Sequence, residues 1–163
     1  AVAANLRLRR GVVDEAEAVA ALIASFRHEL TVDPSGAGAE PYFASVSDEA
    51  ERGYLGSERY VYLVAEGERD AGLGLAGFIA VRDGSHVFHL FVARAFQRCG
   101  LARRLWLAMQ LALERPATQH AFTVNSSLAA VPVYRAFGFS PVGEVVAAHG
   151  IAFQPMRLAH DGA

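Results

Sequence analysis

The run His86-Val-Phe-His89-Leu-Phe91-Val92-Ala-Arg94-Ala-Phe-Gln97-Arg98-Cys99-Gly100-Leu101-Ala102-Arg103-Arg104 decides how this chain folds. Its opening residues, 86–93, are aromatic and β-branched, which is strand chemistry. Over residues 100–114 the side chains Leu101, Leu105, Ala108 and Ala112 recur at helical spacing, and the pattern stops before Pro116, so a helix follows. From Gly84 to Leu113 there is no acidic residue, while Arg94, Arg98, Arg103 and Arg104 are cations. Arg103 and Arg104 fall in the first turn of the expected helix, where the macrodipole disfavours a cation by ~0.3–1 kcal/mol. That placement becomes favourable if an anion docks on the free amides of the same turn. Gly100 and Ala102 leave room for close backbone approach. The stretch reads equally as a phosphate cradle or as a solvated arginine face with a glycine at the helix start.

The alternation continues outward in both directions. Upstream, residues 60–65 and 75–82 are aromatic and β-branched and read as two strands, with turn signals at 67–72 and at Asp83-Gly84. Residues 47–55 read as a short helix with Ser47 as N-cap and Asp48 and Glu49 in its first turn. Residues 31–47 carry Pro34, Gly36, Gly38 and Pro41 and read as a long loop with a helical turn near 41–44. Residues 14–30 read as a helix with Ala18, Ala21, Leu22, Ser25, Phe26 and Glu29 on one side, preceded by a strand at 5–10. Downstream come a strand at 121–125, a helix at 127–137 stopped by Gly138, and two strands, 142–148 and 151–157, joined at His149-Gly150. The expected fold is α/β (α+β) in the order β-α-α-β-β-β-α-β-α-β-β, a mixed sheet with helices on both faces.

Composition limits the chemistry. The 163 residues are 53% hydrophobic and 20% charged with a net charge of -2, in the range of one globular domain spanning 1–163. The near-neutral balance predicts neither a nucleic-acid nor a membrane surface. All 15 basic residues are arginine, which excludes lysine Schiff-base chemistry and a lysine-bearing phosphate loop. With Cys99 as the single cysteine, an internal disulfide and a multi-cysteine zinc site are excluded too. The N-terminal residues lack the apolar core of a signal peptide, and the longest apolar run, 71–81, is far short of the ~20 helical residues that span a bilayer. A cytoplasmic location is the expectation.

Two apparent motifs are decoys. Gly72-Leu-Gly74-Leu-Ala-Gly77 matches a dinucleotide-binding pattern, but strand residues Phe78-Ile-Ala-Val81 follow where a helix is required. His86 and His89 are three apart on a strand, a spacing that sends them to opposite faces, so no metal site is expected. A second cluster carries more: Asn125-Ser126-Ser127, then Val131-Pro-Val-Tyr134-Arg-Ala-Phe137-Gly138-Phe139. Taken alone, Tyr134 is better explained as a core tyrosine with its hydroxyl at the surface.

Together the two clusters resemble the GCN5-related N-acetyltransferases. Gln97-x-x-Gly100-x-Ala102 is similar to the family's (Q/R)-x-x-G-x-(G/A) signature, preceded by the hydrophobic strand His89-Leu-Phe-Val92. Asn125 through Tyr134-Arg-Ala-Phe-Gly-Phe139 is similar to its N-x(8)-Y-x-x-x-G-F segment. The resemblance covers essentially the whole chain. It implies a mostly antiparallel, seven-stranded sheet whose fourth and fifth strands splay apart to admit acetyl-CoA. It implies that Gln97, Arg98, Cys99, Gly100, Leu101, Ala102 and Arg103 hold the pyrophosphate and that main-chain groups of Phe91 and Val92 hold the pantetheine. Asn125 and Ser127 contact the cofactor arm, and Tyr134 stands beside the sulfur.

The implied reaction is direct attack of an amine on the thioester, with Tyr134 as general acid to the departing thiolate. Many relatives use a glutamate on the fourth strand as base. This strand has none, so His89 is the candidate base and Glu29 the fallback. Cys99 is not expected to act as a nucleophile. The acceptor expected is a small primary amine. Asp33, Glu40, Asp48, Glu49, Glu51 and Glu58 outnumber Arg52 between residues 31 and 58, which either attracts a cation or reflects helix starts and solvated loops. Tyr42, Phe43 and Tyr54 form an apolar wall or plain core. A peptide acetylase and a non-catalytic acyl-CoA sensor are the alternatives, and a homodimer is the resemblance's implied assembly.

Overall fold

The computed structural model describes residues 5–69, 72–113 and 121–159. Strand β1 (Arg7–Arg10) leads through a 3₁₀ turn (Val13–Glu15) into helices α1 (Ala16–Ala24), α2 (Arg27–Leu30), α3 (Glu40–Ser45) and α4 (Asp48–Leu55). Strands β2 (Tyr60–Arg69), β3 (Gly72–Arg82) and β4 (His86–Val92) follow, then helix α5 (Leu101–Ala112) and strand β5 (Ala121–Ser127). Helix α6 (Val131–Ala136) precedes β6 (Ser140–Pro141), β7 (Val146–Ala148) and β8 (Ile151–Ala159). Among the described residues no helix is long and apolar enough to cross a membrane.

The strands form one mixed sheet in the order β1-β2-β3-β4-β5-β8-β6, with β7 also on β8. Every pairing is antiparallel except β4 with β5. Alternation sends β2 side chains to two cores. Leu63 and Ala65 join Ile79, Val81, Leu101, Leu105, Trp106 and Met109 on the α5 side. Tyr62 and Val64 join Phe78, Val19 and Ile23 on the α1 and α4 side.

The pairing of β4 and β5 is what makes the fold useful. It is limited to His86 with Thr123 and Val87 with Val124. Beyond that point β4 stays on β3 as far as Val92, while β5 stays on β8 as far as Ser127, so the two strands part and leave a wedge. A β-bulge falls where they part. The β3 partners step from Val81–Val87 to Ala80–His89, leaving Phe88 as the extra residue. Bulges bend the strand and increase its twist, which turns β4 away from β5.

The same bulge corrects the sequence expectation for the histidines. His86 pairs with Arg82 and His89 with Ala80, and residues 80 and 82 of one strand share a face. His86 and His89 therefore lie on the same face, because the inserted Phe88 resets the alternation. The sheet also has eight strands rather than seven. Of the expected 142–148 strand only Val146–Ala148 forms, as β7, with Gly143 at φ +74° off the ladder, and β6 at Ser140–Pro141 is a further short strand on β8. The expected 14–30 helix is broken after Ala24, where the Ser25 hydroxyl donates to the Leu22 carbonyl at 2.6 Å. Its buried stripe is Ala16, Val19 and Ile23, not Ala18, Ala21 and Ser25, which stay exposed. The 127–137 helix likewise starts as a 3₁₀ turn (Leu128–Ala130) before α6.

Ser47 caps α4 as its sequence suggests, its hydroxyl oxygen accepting from the Ala50 amide at 3.1 Å. Replacing a capping serine by alanine costs about 1 kcal/mol. Ser47→Ala should lower Tm by about 2–4 °C for a domain of this size. An unchanged melting curve would remove the cap as a determinant of α4.

Candidate active site

The turn from β4 into α5 is shaped to receive an anion. Arg98 sits at φ +62° and Gly100 at φ +80°, which curls the chain so that successive N–H groups converge. Among the described residues, the amides of Arg98, Cys99, Gly100, Leu101, Ala102 and Arg103 donate to nothing, and Arg104 is the first in the turn to find an acceptor, Gly100 O at 3.0 Å. A Cβ on Gly100 would meet no atom within 4 Å, so the space in front is open and the glycine answers to its positive φ. Arg98, Arg103 and Arg104 are exposed around it. Arg103 also donates to the Ala136 carbonyl at 3.2 Å and lies 5.6 Å from the Phe137 ring centroid, tying α5 to α6. Arg94 is engaged elsewhere: it donates to Glu29 at 2.6 Å on the surface, which holds the Glu29 carboxyl below its usual range. The fallback base is thus paired with an arginine and does not line the cavity that holds His89. The Cys99 thiol donates to the Phe96 carbonyl at 2.8 Å.

The free main chain of β4 faces the wedge. Ala93 N–H donates to Ala76 O at 2.8 Å, toward β3, and a Cβ on Gly77 would lie 2.8 Å from the Phe91 carbonyl. Phe91 therefore turns its carbonyl to β3, and by alternation Val92 turns its main-chain groups to the other side. There the Val92 carbonyl accepts from Gln97 Nε2 at 3.0 Å, leaving the Val92 N–H as a donor into the gap.

A cavity of about 240 Å³ opens on the α3 and α4 side of the split, lined by His86, Phe88, His89, Asn125, Ser127 and Phe153 among others. Tyr42 also lines it, and burial followed by the nearby Glu51 charge pushes its phenol up to about 12. Phe43 and Tyr54 pack on the neighbouring core. Among the described residues no carboxylate lines the cavity, and of the acids in the 31–58 segment only Glu51 is buried. The segment after α2 is closed down on the β7–β8 turn. Val32 N–H donates to Gly150 O at 2.9 Å, and Thr31 bridges to Ile151.

Tyr134 lies on the α5 side of the sheet, only 5% exposed, with Phe137 and Phe139 edge-on to its ring. Burial raises its phenol above the ordinary range, so the hydroxyl stays a donor. That hydroxyl has no hydrogen-bond partner among the described residues, yet no side-chain polar atom there is both sealed and unpaired, so it retains an opening. Ser127 accepts from Ala130 N–H at 3.3 Å and caps the turn that leads to α6. His89, Asn125 and Ser127 thus meet in one cavity, while Tyr134 and the 97–103 turn belong to the other side of the split.

Sequence reasoning missed how Glu51 is used. It is fully buried, its Oε1 accepts from the Tyr62 hydroxyl at 2.6 Å, and its Oε2 lies 3.0 Å from His89 Nε2. A signal was present: Glu51 stands three and four residues before Tyr54 and Leu55, on the apolar face of its helix. Among the described residues no three His, Cys, Asp or Glu side chains gather as a metal-binding group.

His86 supplies a pH test. Burial, then Arg82, hold its imidazole below the usual histidine range, with Asp83 opposing. The unfolded chain takes up that proton near pH 6.5 while the folded chain resists, so stability is complete above that pH and declines below it. The melting temperature should fall between pH 7 and pH 5.5, and His86→Gln should flatten the fall. Equal slopes for both proteins would clear His86.

A family model described as an acetyltransferase (GNAT) domain matches residues 30–160. No curated protein matches the sequence in a direct search. Among solved structures, a GCN5-related N-acetyltransferase from Rhodopseudomonas palustris superposes with a TM-score of 0.72 at 16% identity, over 96% of each chain. The PaiA N-acetyltransferase of Thermoplasma acidophilum, solved with coenzyme A, gives 0.68 at 15% identity over 96% of this chain and 99% of that one. Spermidine N-acetyltransferase of Vibrio cholerae, solved with coenzyme A and spermine, gives 0.63 at 16% identity over 96% of each. With a split sheet, a turn of unpaired amides and a family match over most of its length, the chain belongs to the GNAT acetyltransferases and is an acetyl-CoA-dependent N-acetyltransferase.

Proposed function

We propose that the protein, as one catalytic domain over 1–163, acetylates the primary amine of a small molecule by direct attack in a ternary complex. The observation that carries this reading is the parting of β4 and β5 at Phe88 beside six consecutive unpaired amides. Such a nest matches a diphosphate in charge and shape. Residues 97–103 would hold that diphosphate, with Arg98 and Arg104 exposed near it. The main chain of Val92 would hold the pantetheine arm, whereas Phe91 turns its main-chain groups to β3, and Asn125 and Ser127 would contact the arm from β5. Acetyl-CoA supplies an electrophilic thioester carbonyl.

Each role follows from a property of the side chain or amide. The Val92 N–H faces the gap and is the donor suited to an oxyanion, an interaction worth about 3 kcal/mol in other acyl-transfer sites. Tyr134 keeps its proton through burial and can deliver it to a departing thiolate. His89 lies in the cavity wall and accepts the proton that the acceptor ammonium must lose. The closed 31–46 segment favours a small molecule over a peptide, which would need an open groove. Among the described residues the cavity wall carries the cation Arg82 and no carboxylate beside several aromatic side chains, which disfavours a polycation.

Free thiol released from acetyl-CoA, measured over a panel of amines and peptides, tests the reading. Tyr134→Phe should lower kcat by about 10²- to 10³-fold, as expected for loss of a general acid. Thiol release indifferent to that change would take Tyr134 out of the mechanism. No release with any acceptor in the panel would favour a cofactor sensor. Gly100→Glu places a charge and a side chain in the open nest at φ +80° and should abolish acetyl-CoA binding by calorimetry, with a folded protein by circular dichroism. Unchanged affinity would put the cradle elsewhere.

A further inference from the structure

We infer that Glu51 is a positioning residue for the reaction: from helix α4 it fixes the tautomer of His89 so that the bare Nδ1 opens toward the acceptor cavity. The inference rests on His89 being the proton acceptor of the proposed function.

Glu51 is 0% exposed, and its partner Tyr62 belongs to the core that holds Val19, Ile23 and Phe78. A carboxylate is retained at such a site only if its oxygens are fully engaged. Both are: Tyr62 Oη at 2.6 Å and His89 Nε2 at 3.0 Å. Burial, with the Glu51 charge next, holds the Tyr62 phenol far above its ordinary range, so Tyr62 is the donor and Oε1 the acceptor. With Oε1 so occupied, Oε2 accepts from His89 Nε2–H. The imidazole then keeps its other nitrogen unprotonated.

His89 Nδ1 has no hydrogen-bond partner among the described residues, and no side-chain nitrogen or oxygen there is both sealed and unpaired. Nδ1 is therefore reachable, and His89 lines the cavity. The ring is wedged by Phe88 at 4.2 Å and Phe78 at 5.8 Å between centroids, with Phe91 at 5.9 Å, so it cannot swing to offer Nε2 instead. The other titratable groups around it are Tyr54 from α4, Tyr60 and Tyr62 from β2, Arg82 from β3, His86 on its own strand and Tyr42 from α3. Glu51 is the only carboxylate in that set.

The step balances. The ammonium N–H bond breaks, its electron pair stays on the amine nitrogen, and the proton bonds to Nδ1. The imidazolium so formed faces the Glu51 carboxylate through Nε2–H, then passes its proton to water. This is the arrangement in which a buried acid holds a histidine in its working tautomer, and exchanging that acid for its amide costs about 10⁴-fold in a serine protease by stabilising the wrong one.

The test has two parts. In the native protein with ¹⁵N-labelled histidine, two-bond ¹H–¹⁵N correlations should assign His89 as Nε2–H with a bare Nδ1. Glu51→Gln, nearly isosteric, presents an amide N–H to Nε2 and should move the proton to Nδ1, lowering kcat by about 10²- to 10⁴-fold with KM for acetyl-CoA unchanged. Tyr62→Phe should leave the native tautomer in place. A native spectrum showing Nδ1–H overturns the proposal even if Glu51→Gln does not fold, and so does a folded Glu51→Gln protein with native kcat. If the native protein transfers acetyl to no amine, the proposed function fails, while the tautomer spectrum still decides whether Glu51 orients His89.

Discussion

Everything functional in this molecule depends on two strands that pair for only two residues. His86 and Val87 engage Thr123 and Val124, and then the chain inserts Phe88. A continuous parallel pair would satisfy every backbone group and leave no slot. The bulge gives up that ladder on one side, and the unpaired edge of β4 becomes a row of oriented donors and acceptors. What keeps the edges from collapsing is that each strand remains bonded to its outer neighbour, β3 or β8, through the whole parted region. The open slot is therefore a rigid feature of the sheet rather than a loop-built crevice.

Much of this was legible in the residues. The arginine-rich, acid-free stretch ahead of a helix pointed to unsatisfied amides, and the structure has six of them in series from Arg98 to Arg103. The aromatic and β-branched runs located the strands, and Ser47 and Gly138 marked a helix start and stop. What escaped were effects that a local period cannot carry. A bulge adds one residue without changing composition, so the strict two-residue count put His86 and His89 on opposite faces when they share one. The exposed Ala18, Ala21 and Ser25 were grouped by spacing, but tertiary packing selected the neighbouring stripe of Ala16, Val19 and Ile23. Gly143 shortens the expected 142–148 strand to Val146–Ala148, because its positive φ cannot continue a ladder.

Glu51 shows the same limit from the other direction. In the sequence it is one acid among several near a helix start, where acids are ordinary. Its fate was decided by Tyr62 and His89, 11 and 38 residues away, which supply the two hydrogen bonds that make a fully buried carboxylate tolerable. The fourth strand carries no carboxylate of its own, and the helix above supplies one at second remove. The polar network spans α4, β2 and β4, so it also ties the first helical layer to the strand that bounds the slot.

The glycine pair at the far side of the cavity has a different consequence. A Cβ on Gly150 would lie 2.5 Å from the backbone of Gly38, so the turn between β7 and β8 and the segment after α2 touch main chain to main chain. Two stretches more than a hundred residues apart thereby form one rim beside the cavity that His89 lines, apart from the turn that leads into α5. Selection can reshape that rim by lengthening or recolouring either stretch while the parted strands and the turn of unpaired amides stay intact. A lineage built on this plan can change its clientele without relearning its chemistry.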